Sequence, residues 1–245
     1  MVGLLSKLRN KLLYIHRKGV DLAKSTPFFM TNILLKASLN SYFRTIIIIA
    51  QSKIMNSQFL EFIKRITIVP EEQQYKFNEL ISTTHIQKSE AFIRAGSYSK
   101  SIGFIKEGLF RYFYSSKEGI EYTKGFFDKS NVLSSYSAII ENRESYFTIE
   151  ALEDSIVETV DYYKFKQLFA EHPCWNEFLV KLLEKGFITK ETREREFLLL
   201  NAEERYTNFL ERFPNLESRV RQHIIASYLG IAPESLSRIR KKFFT

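Results

Sequence analysis

Between residues 57 and 82, Phe59, Ile63 and Ile66, then Phe77, Leu80 and Ile81, recur at three- and four-residue spacing. That period predicts helices with one apolar face, and Pro70-Glu71-Glu72 between the two groups predicts a helix start. From His85 to Val160 the texture turns to short β-rich runs. Phe104-Ile105 and Phe110–Tyr114 flank Lys106-Glu107-Gly108, which predicts a hairpin loop with Gly108 free to take positive φ. Lys117-Glu118-Gly119 predicts a similar turn before Ile120–Phe127. Further strands are expected around Phe147–Leu152 and Ile156–Val160. Strands this short and this regularly spaced predict an antiparallel roll or barrel.

Helical spacing returns after His172-Pro173, where Trp175, Phe178, Leu179, Leu182 and Leu183 form a stripe. The next stretch, Thr189 to Glu196, has no apolar side chain. A helix can run through it, but no coiled-coil seam is legible there. Residues 203–212 and 219–244 complete the chain as helices.

The strongest pattern is His223 to Phe244, HIIASYLGIAPESLSRIRKKFF. Its first helix turns Ile224, Ile225, Tyr228 and Leu229 inward, with small Ala226 where two helices would cross. Gly230 sits where the chain must reverse, a position suited to the left-handed conformation. Pro233 suits the first turn of the second helix, since the N–H it lacks would be unbonded there anyway. Leu236, Ile239 and Phe243 form that helix's buried stripe. The opposite face carries Ser235, Ser237, Arg238, Lys241 and Lys242, with Glu234 at its start and one turn from Arg238. In a recognition helix, glutamate accepts from cytosine and arginine pairs with guanine, while hydroxyls and lysines suit phosphate oxygens. A solvated amphipathic helix pair is the plain alternative; the spacing of Ala226, Gly230 and the apolar positions favours a helix-turn-helix.

Composition changes this picture in two places. Aromatic residues make up 15% of the 245 residues, against only 9 Gly and 5 Pro, which favours packed domains over disorder. The formal charge of +8 is not a DNA footprint by itself. Nine basic residues against the lone Asp21 in residues 1–54 account for all of it, and the remaining 27 basic and 27 acidic side chains balance. The local count matters more: six basic residues face one acid between Arg219 and Lys242. Residues 1–54 are read as an uncertain N-terminal extension. Translation starting at Met55 is favoured over an amphipathic membrane-surface helix or a transit peptide. Their longest apolar run, Ile46–Ala50, is far short of the ~20 residues a bilayer span needs. A single cysteine, Cys174, excludes a disulfide framework and a Cys-ligated cluster, and fits the cytoplasm.

Five stretches together resemble the Crp/Fnr family of transcription regulators: KEG at Lys106–Gly108, EALEDS at Glu150–Ser155, AEHP at Ala170–Pro173, AEERY at Ala202–Tyr206 and IASYLGIAPESLSRIRKK at Ile225–Lys242. The resemblance spans about residues 57–245. It implies an α+β fold in which an antiparallel β-roll, cyclic-nucleotide-binding-like, is joined by a long dimerising helix to a C-terminal helix-turn-helix domain. The divisions that follow are 55–167 for the roll with its flanking helices, 168–200 for the linking helix and 201–245 for the DNA-binding part. The resemblance also implies double-stranded DNA as partner, a homodimer, RNA polymerase as a further partner, and base-reading roles for Glu234 and Arg238. Pro233 stands where some members carry Arg. The sequence ends directly after the recognition helix, where the resemblance implies a wing.

Members that bind cyclic AMP hold its phosphate with a Gly-Glu pair and a later Arg followed by a small hydroxyl residue. Here Ser134-Ser135 and Ser145-Tyr146 stand near those positions, and Arg143 lies close without aligning. Cyclic AMP is therefore not expected as effector, and the effector is unknown. Asn131, Ser134, Ser135, Tyr136, Ser145 and Tyr146 are the residues of a degenerate effector pocket, with a plain polar loop the commoner reading. No cofactor, metal site or catalytic constellation is read; of the four histidines only His85 lies near a predicted strand. The alternative function is a regulatory interaction protein that uses the roll without reading DNA.

Overall fold

The chain divides between Met55 and Asn56, and a computed structural model describes residues 57–243. The expectation for residues 1–54 lies outside the described residues. The first two helices are α1 (Gln58–Lys64) and α2 (Glu71–Leu80). The α1 start is held twice. The Ser57 hydroxyl accepts from Leu60 N–H, and the Glu158 carboxylate accepts from Phe59 N–H at 2.7 Å and from the Ser57 hydroxyl at 3.1 Å. Helix N-termini favour such acceptors because their first amides have no partner within the helix.

Eight strands follow: β1 (Ser82–Ile86), β2 (Ala91–Ile93), β3 (Ser101–Glu107), β4 (Leu109–Ser115), β5 (Glu121–Asp128), β6 (Val132–Leu133), β7 (Thr148–Ala151) and β8 (Ser155–Asp161). A short helix, α3 (Tyr136–Ile140), lies between β6 and β7. The strands form two four-stranded sheets, ordered β1-β8-β3-β6 and β2-β7-β4-β5. Every ladder is antiparallel. This is the expected roll, closed around Ile93, Ile105, Phe110, Tyr112, Leu133, Ile149 and Val157.

One expected hairpin is corrected. β3 and β4 flank Gly108 but belong to different sheets and do not pair. Gly108, at φ +114, is a corner through which the chain leaves one sheet for the other. The second turn is a true hairpin, in which β4 pairs with β5 and Gly119 takes φ +80. Its ladder contains a bulge: Tyr112 pairs with Gly125 and Phe113 with Thr123, leaving Lys124 as the extra residue.

After β8 come α4 (Tyr162–Gln167), a 3-10 turn (Leu168–Ala170) and the long helix α5 (Cys174–Leu199). Its first turns carry Trp175 and Phe178 into a core with Phe59, Phe77, Phe104 and Phe165. Trp175 stacks on Phe77 at 5.2 Å, and its indole N–H donates to Gln73 Oε1 at 2.8 Å, so its one polar group is satisfied. Cys174 is buried in the same core, and burial pushes its thiol pKa up. α5 runs unbroken through the apolar-free stretch Thr189–Glu196.

The chain then turns at Leu200-Asn201 into α6 (Ala202–Arg212), whose start carries a complete capping box between Asn201 and Glu204. Three more helices follow: α7 (Leu216–Arg219), α8 (Gln222–Leu229) and α9 (Pro233–Phe243). Among the described residues no helix is long and apolar enough to cross a membrane.

Candidate nucleic-acid interface

α8 and α9 meet as the spacing predicts. Ile224, Ile225, Ala226, Tyr228 and Leu229 are buried on α8, and Leu236 and Ile239 on α9. Between them Gly230 adopts φ +66, ψ +37. The left-handed turn lets Gly230 and Ile231 N–H reach back to Ala226 and Ser227 carbonyls, satisfying the end of α8. A side chain at 230 would have to displace the Phe197 ring, because its Cβ would lie 2.3 Å from Phe197 Cζ.

With Leu236 and Ile239 held behind, α9 exposes Glu234, Ser237, Arg238, Lys241 and Lys242; Ser235 is partly buried. The Arg238 guanidinium donates to Ser235 Oγ at 3.2 Å, a contact along the helix that leaves it on the open face. Lys242 pairs with Glu203 of α6, an exposed ion pair of the kind worth little in water. Arg240 points the other way, to Glu217 at 3.2 Å. All six predicted residues therefore lie on α9, and five of them face solvent.

The sequence does not disclose what covers the rest of α8. Its second face lies on the roll. The Ser227 hydroxyl donates to Glu121 O at 2.7 Å and accepts from Thr123 N–H at 2.9 Å. Both backbone groups belong to β5, the edge strand of its sheet. One serine thus satisfies two backbone groups at the start of an edge strand, where unpaired groups invite pairing with another chain. Phe126 of β5 packs among Phe209, Phe213 and Tyr228, with Tyr228 at 5.2 Å, and Leu109 joins the same cluster. At the rim Arg219 meets Glu153 at 2.6 Å.

A second group of contacts joins the far half of α5 to α8. Arg193 donates to Tyr228 O and lies 3.9 Å over the Tyr228 ring; burial lowers its pKa. Glu196, buried, pairs with Arg212 of α6, and Arg212 also donates to the Tyr228 hydroxyl at 3.2 Å. Arg205 donates to Leu229 O at 3.1 Å and Leu200 O at 2.6 Å. Two residues of the polar run that carries no coiled-coil seam, Arg193 and Glu196, are thus engaged within the protein, while Glu191, Glu194 and Arg195 stay exposed. A polar helical segment followed by Phe197 is the only hint of this along the chain.

The six residues named for an effector pocket do not all converge. Ser135 and Ser145 are buried with their hydroxyls 2.9 Å apart, and Ser145 donates to Phe147 O at 2.7 Å. Ser134 N–H donates to the Tyr112 hydroxyl at 3.0 Å, and burial raises the Tyr112 pKa. The Ser134 hydroxyl itself is buried without a hydrogen-bond partner. The other three point elsewhere. Asn131 closes its own turn onto Asp128, Tyr136 packs edge-on to Tyr162, and Tyr146 is exposed beneath the Arg143 guanidinium at 3.8 Å. Arg111, which no sequence motif singles out, is buried between Glu121 at 2.7 Å and Glu150 at 2.6 Å. Among the described residues no cluster of three or more His, Cys, Asp or Glu is placed to hold a metal ion.

No family profile matches the chain. The fumarate and nitrate reduction regulatory protein of Yersinia pestis is 27% identical over 176 residues, covering 64% of this chain and 67% of that protein. Among solved structures, the c-di-GMP responsive global regulator CLP of Xanthomonas campestris superposes with a TM-score of 0.58 at 15% identity, over 69% of this chain and 88% of that one. FixK2 from Bradyrhizobium japonicum gives 0.59 at 16% identity, over 67% and 84%. A protein of Eubacterium rectale assigned to the Crp/Fnr family gives 0.60 at 18%, over 71% and 83%. The structural likenesses carry the fold: a roll, a long helix and a terminal helix-turn-helix in one order. The Yersinia relative and these structures agree with the resemblance of the five sequence stretches to the Crp/Fnr transcription regulators.

Proposed function

We propose that the protein is a homodimeric, sequence-specific DNA-binding regulator that inserts one α9 per subunit into successive major grooves. The carrying observation is the division of α9: Leu236 and Ile239 anchor it, while Glu234, Ser237, Arg238, Lys241 and Lys242 face outward. Glu234 and Arg238 read base edges, and Ser235, Ser237, Lys241 and Lys242 contact phosphates. Residues 55–167 serve as the sensor part, 168–200 as the linker and 201–245 as the reader. The protein works in the cytoplasm, has no catalytic role, and takes RNA polymerase as a further partner by analogy with the family.

The near half of α5 supports the dimer. Val180, Leu183 and Phe187 lie on one face and are 53%, 40% and 67% exposed, at a spacing that fits a second helix. Substituting Phe187→Glu should therefore yield a monomer in sedimentation experiments; an unchanged dimer would place the interface elsewhere.

Three groups near the expected phosphate position support a reading in which cyclic AMP is not the effector. Ser135 and Ser145 bond to each other, Arg143 is taken by Glu141 and Tyr146, and Arg111 by two carboxylates. A buried phosphate without a guanidinium loses its charge-assisted bonds and its desolvation goes uncompensated.

Selection of bound sites from random DNA, with and without cyclic AMP, tests the whole reading. It should recover inverted repeats with half-sites roughly 34–36 Å apart, the same in both conditions. Arg238→Ala should cost about 1–3 kcal/mol and relax preference at one base position. Equal weakening on every sequence would assign Arg238 to phosphate, and no enrichment at all would defeat the function.

A further inference from the structure

We propose that Arg193, with Arg205 and the Phe197 ring between them, is a positioning residue that sets the angle of the recognition helix to the long helix, and so the spacing of half-sites the dimer accepts. This rests on the DNA-reading assignment above.

The connection from α5 to α6 is only Leu200-Asn201, and a joint of two residues turns freely unless something spans it. Arg205, beyond the joint, donates back to Leu200 O at 2.6 Å and across to Leu229 O at 3.1 Å. Arg193, before the joint, reaches Tyr228 O. Tyr228 and Leu229 are the last residues of α8, where carbonyls have no partner within the helix and cations are favoured by the helix dipole. The Gly230 and Ile231 N–H groups are already committed to Ala226 and Ser227, so the two terminal carbonyls are left to the arginines. Phe197 fills the space between, its ring 4.7 Å from one guanidinium and 5.0 Å from the other. It also abuts Gly230, the residue from which the chain turns towards α9.

These contacts grip main-chain atoms at the turn itself, one from each side of the joint. Planar guanidiniums suit that task because each fixes direction as well as distance. If α5 also carries the dimer interface, the angle held here becomes the separation and tilt of the two recognition helices, which a fixed half-site spacing measures.

The test uses full-length protein and a panel of duplexes carrying the selected half-site as an inverted repeat, with the centre-to-centre distance varied in single base pairs. Wild type should prefer one spacing by about tenfold over its neighbours, a coupling of ordinary allosteric size. Arg193→Met should compress that preference to about threefold or less, with half-site base preference unchanged and thermal unfolding still cooperative. Arg193→Lys keeps the charge without the planar fork and should rescue only part. Should Arg193→Met not fold, Phe197→Leu is read on the same panel with the same expectation. Wild-type spacing preference in well-folded Arg193→Met or Phe197→Leu overturns the proposal. So does a loss of spacing and base preference together, which would mark the cluster as a mere prop. Wild-type protein that binds no duplex at any spacing sinks the DNA-reading assignment itself, an outcome distinct from either.

Discussion

Gly108→Ala is expected to destabilise the protein by about 3–5 kcal/mol, combining backbone strain with overpacking. Gly108 lies at φ +114, a region that a residue with a side chain rarely enters. An added Cβ would fall 2.0 Å from Ser155 Oγ and 2.9 Å from Ser155 Cα. The hydroxyl can be moved, but the Cα belongs to β8, which pairs with both β1 and β3. The corner that carries the chain between sheets and the strand beneath it would therefore have to separate. Denaturant unfolding of the single variant and of Gly108→Ala/Ser155→Gly measures both parts. The double variant should recover the side-chain share only, leaving the strain and the clash with the β8 main chain. Full recovery would show that the positive φ carries no cost, and a single variant within about 1 kcal/mol of wild type would mean the corner is slack.

Gly230→Ala should cost about 2–4 kcal/mol, from the left-handed backbone and from overpacking. The left-handed geometry of φ +66, ψ +37 is milder than that at Gly108, and the obstacle is the far end of an aromatic side chain, Phe197 Cζ at 2.3 Å. Phe197 can swing away, but only by leaving the two guanidiniums that flank it. The expected phenotype is therefore double: lower stability, and DNA affinity reduced beyond what the unfolded fraction explains. Binding measured well below the melting temperature separates the two effects. Wild-type affinity per folded molecule would mean that Phe197 and the turn are independent of DNA reading.

The two glycines illustrate how unevenly the fold is legible along the chain. At Gly230 the local pattern is sufficient. Apolar residues at helical spacing on both sides, a residue tolerant of positive φ between them, and Pro233 at the next helix start all point to one geometry. The structure has Gly230 left-handed, Leu236 and Ile239 buried, and α9 beginning at Pro233. At Gly108 the same kind of reasoning predicts a hairpin where the chain in fact changes sheets. A tight turn and a sheet corner ask the same thing of a glycine, and which strand lies alongside is settled by residues far away in the chain.

Strand β4 shows the same limit. Leu109 to Phe113 are buried without alternation, because one face lines the roll and the other lies under added packing. Leu109 belongs to the cluster of the C-terminal helices, and Arg111 is enclosed by Glu121 and Glu150. The sequence displays the apolar run but not its second cover. The residues expected of an effector pocket divide likewise: Ser135 and Ser145 meet across ten positions, while Asn131, Tyr136 and Tyr146, close by in sequence, turn to other partners.

Periodicity and short-range neighbours were therefore enough to mark the main helices and strands, the helix-turn-helix with its outward face, and an antiparallel roll or barrel; the order in which they combine came from the resemblance of five short stretches. Three features came from folding in space: Ser227 bonds two backbone groups at the start of β5, Arg193 and Arg205 grip the end of α8, and Gly108 joins two sheets. Each of these is a meeting of groups far apart along the chain or on separate elements. Their partners are mostly backbone atoms, whose chemistry is identical at nearly every residue, so no pattern of side chains could reveal them.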